Sequence, residues 1–290
     1  MKYCALALLL PLAVVVIAAC GESSTGAVAL NGPGDSSEPQ ASADSPGQVA
    51  TTQPKTESAL ASVNRTYAAL LKDVVTPDGL VRYDVLGESP RRRSLQEIVA
   101  AYAKTDLPPG DDEKLAFLCN AYNVNVLKMV IGATAKEDLT SVMDIPGFFD
   151  TLSITVAGKQ MTLNALENEQ IRPMGDPRIH AALVCAAMSC PPLRGEPYTA
   201  KQLDKQLNDQ SRRWINNPNQ NGIDEHGLGV SMIMQWYGDD FSVEPYGGVV
   251  GFVRAFAEPA GPIERWLSHE DEPQVHFLKY DWRLNRARPG

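Results

Sequence analysis

The feature that most limits what this chain can fold into lies at its start. Residues 5–19 are apolar from Ala5 to Ala19, with one Pro at position 11, and Lys2 is the lone positive charge ahead of them. Fifteen residues fall short of the roughly 20 needed to cross a bilayer, but they suit the apolar region of a secretory signal. The run stops at Cys20, and polar sequence begins at once. Residues 21–57 are dominated by Ser, Gly, Pro, Ala, Thr and short acids, without one aromatic side chain. Such a stretch buries too little apolar area to offset its ordering entropy. It reads as a disordered tether with a typical span of roughly 30–36 Å. Residues 58–290 are left to fold. With no internal repeat and no second linker of comparable length, they are expected to form one domain.

The composition fits that division and excludes some functions. A hydrophobic content of 44% suits a globular unit. The formal charge is -9, and loss of residues 1–19 removes one Lys and no acid, giving -10. Nucleic-acid affinity rests on Lys and Arg neutralising phosphates, so a nucleic-acid partner is not expected. Charge-driven adhesion to anionic lipid is excluded on the same ground.

Within 58–290, helices and short strands are mixed without regular alternation, which predicts an α+β fold with helices packed on a small, mostly antiparallel sheet. Residues 58–74 form an amphipathic pattern with Ser58 as cap. Ser94 and Glu97 stand at capping-box spacing before an apolar-periodic run to Lys104. Asp111 to about Met129 carries the strongest helical pattern, with an acidic start that suits the helix dipole. Residues 151–163 predict a hairpin turning at Ala157-Gly158-Lys159, with Ile154, Val156 and Met161 on one face. Leu163–Ile171, Thr199–Asn216 (Thr199 as cap), Gly248–Phe256 and Ile263–Leu267 read as helices. Leu228–Ile233 and Gln274–Tyr280 read as strands.

The densest chemistry lies in Asp176–Arg194. His180, Cys185 and Cys190 are spaced five apart. On a continuous helix, steps of five rotate by about 140° and scatter the three around the axis. Residues 178–187 read equally as helix or strand. The run breaks at Ser189-Cys190-Pro191-Pro192, because a residue before Pro leaves the α region. Three chemistries compete. One is a thiolate nucleophile with His180 as its base. Another is a Cys185–Cys190 disulfide, suited to an oxidising compartment. The last is a metal site, which this spacing disfavours, since zinc ligands come in tighter pairs; neither metal nor cofactor is expected. Spacing alone favours the disulfide or packed cysteines.

Asn120 and Asn123 share a helix face, and buried amides must find partners. They either tie down a loop or line a pocket with Tyr122. Cys119 is expected to be buried and inert. Glu167 and Glu169 are either exposed or part of a carboxylate site. Asp239 and Asp240, after Trp236-Tyr237, are either a solvated turn or part of a polar site. Trp214, Trp236 and Trp282 are expected to pack, and His226, His269 and His276 to face solvent.

Two resemblances add to this. Ile17-Ala18-Ala19-Cys20 resembles the lipobox of bacterial lipoproteins, which implies cleavage before Cys20 and diacylation of its sulfur. Such an anchor places the domain in the cell envelope. Gly21 lacks the Asp that commonly retains lipoproteins at the inner membrane, so the outer membrane is favoured in a Gram-negative cell. The second resemblance rests on Phe117-Leu-Cys-Asn-Ala-Tyr-Asn123, Val156-Ala-Gly-Lys-Gln-Met-Thr-Leu163, Leu166-Glu167, Asp176-Pro-Arg-Ile-His180 through Cys185, and Ser189-Cys190-Pro-Pro-Leu193. It continues through Ser231-Met-Ile-Met-Gln-Trp-Tyr237, Asp240-Phe241, Gly247-Gly248 and Tyr280-Asp-Trp-Arg-Leu-Asn285. In order and spacing these resemble the family called domain of unknown function 547, over most of 60–285.

That resemblance draws attention to Asn120, Tyr122, Asn123, Glu167, His180, Cys185 and Cys190 as matches to the family's most recognisable positions. It names no reaction. Relatives often carry Trp at the position of Leu118, an aliphatic residue at that of Cys119, and His where this chain has Asn168. The expectation is a lipid-anchored binding module with His180, Cys185, Cys190, Glu167 and Asn120 in a polar pocket, and with Tyr122, Asn123, Arg178, Tyr237 and Asp240 around it. The alternative is a thiol-dependent hydrolase or acyl transferase on the same residues.

Overall fold

Leu115 through Leu127 are buried without a break inside the helix Asp111–Thr134. A helix apolar on one stripe sits at a surface, whereas one buried all round is a core element. This helix begins with Asp111, Asp112 and Glu113, whose charges favour the helix N-terminus. It runs one turn past the expected end near Met129. By length and composition it resembles a membrane span, but 83% of its apolar window is buried inside the domain.

The computed structural model describes residues 59–134 and 139–288. The apolar run 5–19, Cys20, the tether and the Ser58 cap lie outside the described residues. The fold is a single α+β domain in which further helices surround the central one. Ala59–Val74 packs on Ser89–Lys104, which packs on the central helix. Their contact is aromatic and polar together. Tyr102 sits edge-on to both Tyr67 and Phe117 and donates its hydroxyl to Asn64 Oδ1 at 2.6 Å. The second of these helices corrects the expected start at Ser94. It begins at Ser89, with Pro90 in the first turn and Glu88 preceding it. Pro is favoured there because the first amides lack partners anyway. Ser94 lies inside the helix and donates to the Pro90 carbonyl.

Two small sheets complete the fold. Ile154–Val156 pairs antiparallel with Lys159–Met161. Ala157 and Gly158, both at positive φ (48° and 75°), make the left-handed two-residue turn that matches strand twist. The second sheet has Gly222–Asp224 antiparallel to Gly227–Val230, which pairs parallel with Val275–Phe277. The expected strand 228–233 stops at Val230, and Ile233–Trp236 is a helical turn. The helices Leu203–Ile215 and Val249–Phe256 fall within the expected segments, and Pro262–Leu267 begins one residue before the expected Ile263. Thr199 precedes a 3-10 turn, Ala200–Gln202, without a side-chain cap bond.

The C-terminal segment 280–287 joins three distant stretches. Val81 exchanges main-chain bonds with Asn285 and Ala287 (2.8 and 2.9 Å), Leu284 donates to Thr140 (2.8 Å), and Met188 donates to Arg283 (2.8 Å). Tyr83 adds a side-chain bond to Asn285 Oδ1 at 2.7 Å.

The central helix holds its surroundings through amides. Asn120 accepts from the Tyr198 N–H and donates to the Tyr198 carbonyl, both at 2.8 Å. Asn123 donates to the Ala182 carbonyl and accepts from the Val184 N–H, both at 2.9 Å. Buried main-chain groups must be paired, and these four are paired only because an amide carries one donor and one acceptor side by side. Asn123→Ala leaves two buried main-chain groups unpaired. At about 1–3 kcal/mol each, the variant should lose about 2–6 kcal/mol in denaturant unfolding. A loss below about 1 kcal/mol would refute this account.

Candidate functional site

The ambiguous stretch 178–187 resolves into both of its readings. Ile179–Ala182 is one helical turn, and the chain then extends from Leu183. Asn123 holds the main chain on either side of Leu183, which fixes His180 before it and Cys185 after it. Arg178 anchors the turn from below. It bonds Asp176 through Nε and Nη2, and Asp204 and Asn208 through Nη1 at 2.6 and 2.9 Å.

His180 is buried, and its partner is Asp240, with Nε2 2.7 Å from Oδ2. Asp240 belongs to Trp236-Tyr237-Gly238-Asp239-Asp240-Phe241, which wraps the imidazole. Tyr237 stacks on it at 4.3 Å between centroids, and Phe241 lies tilted against it at 5.4 Å. Asp240 also receives a bidentate pair from Arg172, Nε and Nη2 at 2.7 Å each, the strong geometry for guanidinium and carboxylate. Arg172 stands 4.9 Å over the Tyr237 ring, a cation–π distance. Its third nitrogen donates to Asn168 Oδ1 at 2.6 Å. Asn168 thus steadies Arg172.

Burial pushes the Asp240 carboxyl up, but hydrogen bonds and charge from His180 and Arg172 outweigh it and hold the group well below the usual carboxylate range. An ionised carboxylate only accepts, so His180 Nε2 carries the proton in this bond.

Glu167 and Asn168 lie in a π-helical stretch, Leu166–Ile171, where sequence periodicity gives only a short helix. Such widened turns recur at functional sites. Burial, then the nearby Glu167 charge, pushes the Tyr122 phenol well up. Tyr280 is buried and shifted up for the same two reasons. Glu167 is partly exposed and Glu169 fully so.

Cys185 and Cys190 are joined by a disulfide, with Cα atoms 6.2 Å apart. The Tyr280 hydroxyl stands 3.2 Å from each sulfur. Tyr280 in turn packs among Trp236 and Trp282 at 4.8 and 4.5 Å. The two indoles stack 5.8 Å apart, and Phe149 flanks Trp282. Trp236 packs on Tyr280 and Trp282 as expected, yet remains 38% exposed. Trp214 is fully buried.

The structure therefore brings together Glu167, Tyr122, His180, Asp240, Tyr237 and the cysteine pair. It leaves Asn120, Asn123 and Arg178 as fasteners. Cys119 is the free cysteine among the described residues; it is buried, and burial pushes its thiol up. His226 and His269 are exposed, while His276 is partly covered and lies 3.0 Å from Asp224. Among the described residues, no three His, Cys, Asp or Glu side chains converge as metal ligands. Arg172 and Tyr280 were not singled out from the sequence. Arg172 precedes a Pro in a polar run, and its partner is 68 positions away.

Asp240 supplies a pH test. Its folded pKa is depressed, so its contribution is complete above the unfolded value of about 3.9 and is lost as pH falls through the folded value. Asp240→Asn should lower stability by about 2 kcal/mol at pH 7, and the gap between variant and parent should shrink below about pH 4. A gap that stays constant to pH 2 contradicts the ion-pair account.

No curated protein and no solved structure matches the chain. Residues 108–215 match a family model, a shorter span than the sequence resemblance, leaving Asp240, Tyr280 and Trp282 beyond it. The matched segment, which carries Glu167, His180, Cys185 and Cys190, supports the family described as Protein of unknown function, DUF547.

Proposed function

We propose that this is a lipid-anchored envelope protein whose domain binds a saccharide on the face formed by Trp236 and Trp282 beside Glu167. The observation that carries the reading is the stacked, partly exposed indole pair packed on Tyr280, a phenol that feels the Glu167 charge. A sugar ring has an apolar C–H face and a hydroxyl edge. Indoles take the first, and a carboxylate accepts from the second; binding sites pair apolar aromatic surface with a few placed polar groups. Tyr280 stands behind both Trp rings and feels the Glu167 charge, so platform and carboxylate belong to one neighbourhood. The Asp240–Arg172–His180 network is engaged internally and holds Tyr237 and the π-helical stretch in place.

The alternative, a thiol-dependent hydrolase or acyl transferase, needs a free Cys185 or Cys190 with His180 as base. The sulfurs are bonded to each other and His180 is engaged with Asp240, which favours the binding reading. Anchoring through Cys20 rests on the lipobox resemblance. With each buried CH₂ worth about 0.8 kcal/mol, two or more acyl chains hold a protein stably.

Two measurements check these readings. Titration with soluble envelope glycan fragments should quench tryptophan emission, and Trp236→Ala should weaken binding by about tenfold or more, about 1.4 kcal/mol, with the circular dichroism unchanged. Equal affinity in the variant, or no binding by the parent, defeats the saccharide reading. For the anchor, Cys20→Ala should move the protein from the membrane pellet to the soluble fraction; a parent whose mature N-terminus has an unmodified mass would refute it.

A further inference from the structure

The Cys185–Cys190 disulfide closes a loop that other bonds already close. Within residues 186–190, Ala186 O accepts from Asn285, Met188 N–H donates to Arg283, Ser189 N–H donates to Asp281, and Ser189 Oγ accepts from the Asp281 amide. The Cys190 carbonyl accepts from Gln220. A staple gains most where it restrains a long, otherwise free loop. This one spans five positions and is pinned from outside by the C-terminal segment. Its value as a staple is therefore small.

Its two sulfurs are not equivalent. Cys185 is partly exposed, whereas Cys190 is buried. The Cys185 main-chain N–H donates to Cys190 Sγ at 3.0 Å and distinguishes that sulfur, while the Tyr280 hydroxyl, 3.2 Å from both, is in reach of it as well. Burial and the Glu167 charge keep that phenol protonated and so able to donate. If the bond opens with its electron pair on Cys190, two donors already face the new charge, the condition that makes a thiol a good leaving group.

We propose that Cys185–Cys190 is a thiol–disulfide exchange site, with Cys185 the sulfur attacked, Cys190 the leaving thiolate, and a dithiol as reductant. A thiolate of the dithiol attacks Cys185 Sγ. The Cys185–Cys190 bond breaks, a mixed disulfide forms at Cys185, and the electron pair stays on Cys190 Sγ under the amide and Tyr280, until it takes a proton from water. The second thiol of the reductant loses its proton to water and attacks its own sulfur in the mixed disulfide. This releases the oxidised reductant and a Cys185 thiolate, which water protonates. Two electrons and two protons pass from the dithiol to the cysteine pair, and the pinned loop keeps its place.

The test uses the full-length protein. Under millimolar dithiothreitol without denaturant, both cysteines should become alkylatable while the far- and near-UV circular dichroism stay native. With reduced glutathione and an alkylating quench, peptide mass should find the mixed disulfide on Cys185 of the parent. Tyr280→Phe should slow reduction about tenfold, the effect of one hydrogen bond to a charged group. Thiols that appear only as urea unfolds the protein, glutathione found on Cys190, or an unchanged rate in Tyr280→Phe would each overturn the proposal.

Discussion

Everything around the site depends on two amides in the stretch Leu115–Leu127 of the central helix, which is buried all round. Polar side chains on such a stretch must look to protein for partners. Asn120 and Asn123 are answered by main chain: Tyr198 on one side, Ala182 and Val184 on the other. An aliphatic side chain at either position would pack as well and connect nothing. The amide reads two edges of backbone at once and so converts an irregular, strandless stretch into a placed one. His180 and Cys185, a few residues on either side of the Asn123 clamp, inherit their positions from it.

Around that clamp the site is built from short, individually weak elements. A single helical turn carries His180, a π-helical stretch carries Glu167 and Asn168, and a 3-10 turn carries Asp240. None of these would persist alone, since helices this short are unstable in water. Asp240 joins them, taking Arg172 from one and His180 from another, while Tyr237 and Phe241 close on the imidazole. The charge on Asp240 persists through the neutral range because both partners favour its ionised form.

The sequence foretold the parts whose signals are local. The central helix was legible from its apolar spacing and acidic start, and the hairpin from Ala157-Gly158 between two β-rich runs. Burial of Cys119 and packing of Trp214 were expected from residue type alone. Ser94 misled because a capping pattern inside a helix looks like one at its start, and Pro90 with Glu88 set the true boundary. Leu228–Ile233 looked like one strand because periodicity does not see the turn at Ser231-Met232. The Arg172–Asp240 pair, the contact of Tyr280 with both sulfurs, and the exposure of Trp236 were illegible for a common reason. Each depends on residues tens of positions apart meeting in space, and nothing in the intervening sequence records the meeting.

The C-terminal segment 280–287 has a consequence in time. It supplies Tyr280 and Trp282 to the site and pairs with residues 81, 140 and 188, so its contacts are among the longest in sequence that the domain makes. Contacts of that kind form late, because their loop-closure entropy must be met before they return any stabilisation. A chain synthesised from its N-terminus delivers this segment after the rest of the described domain. The central helix, its clamps and the cysteine pair are then already made, waiting for the segment that covers them. The site is thus complete only once this segment is in place, and a chain halted before it would carry His180, Glu167 and both cysteines without the face that unites them.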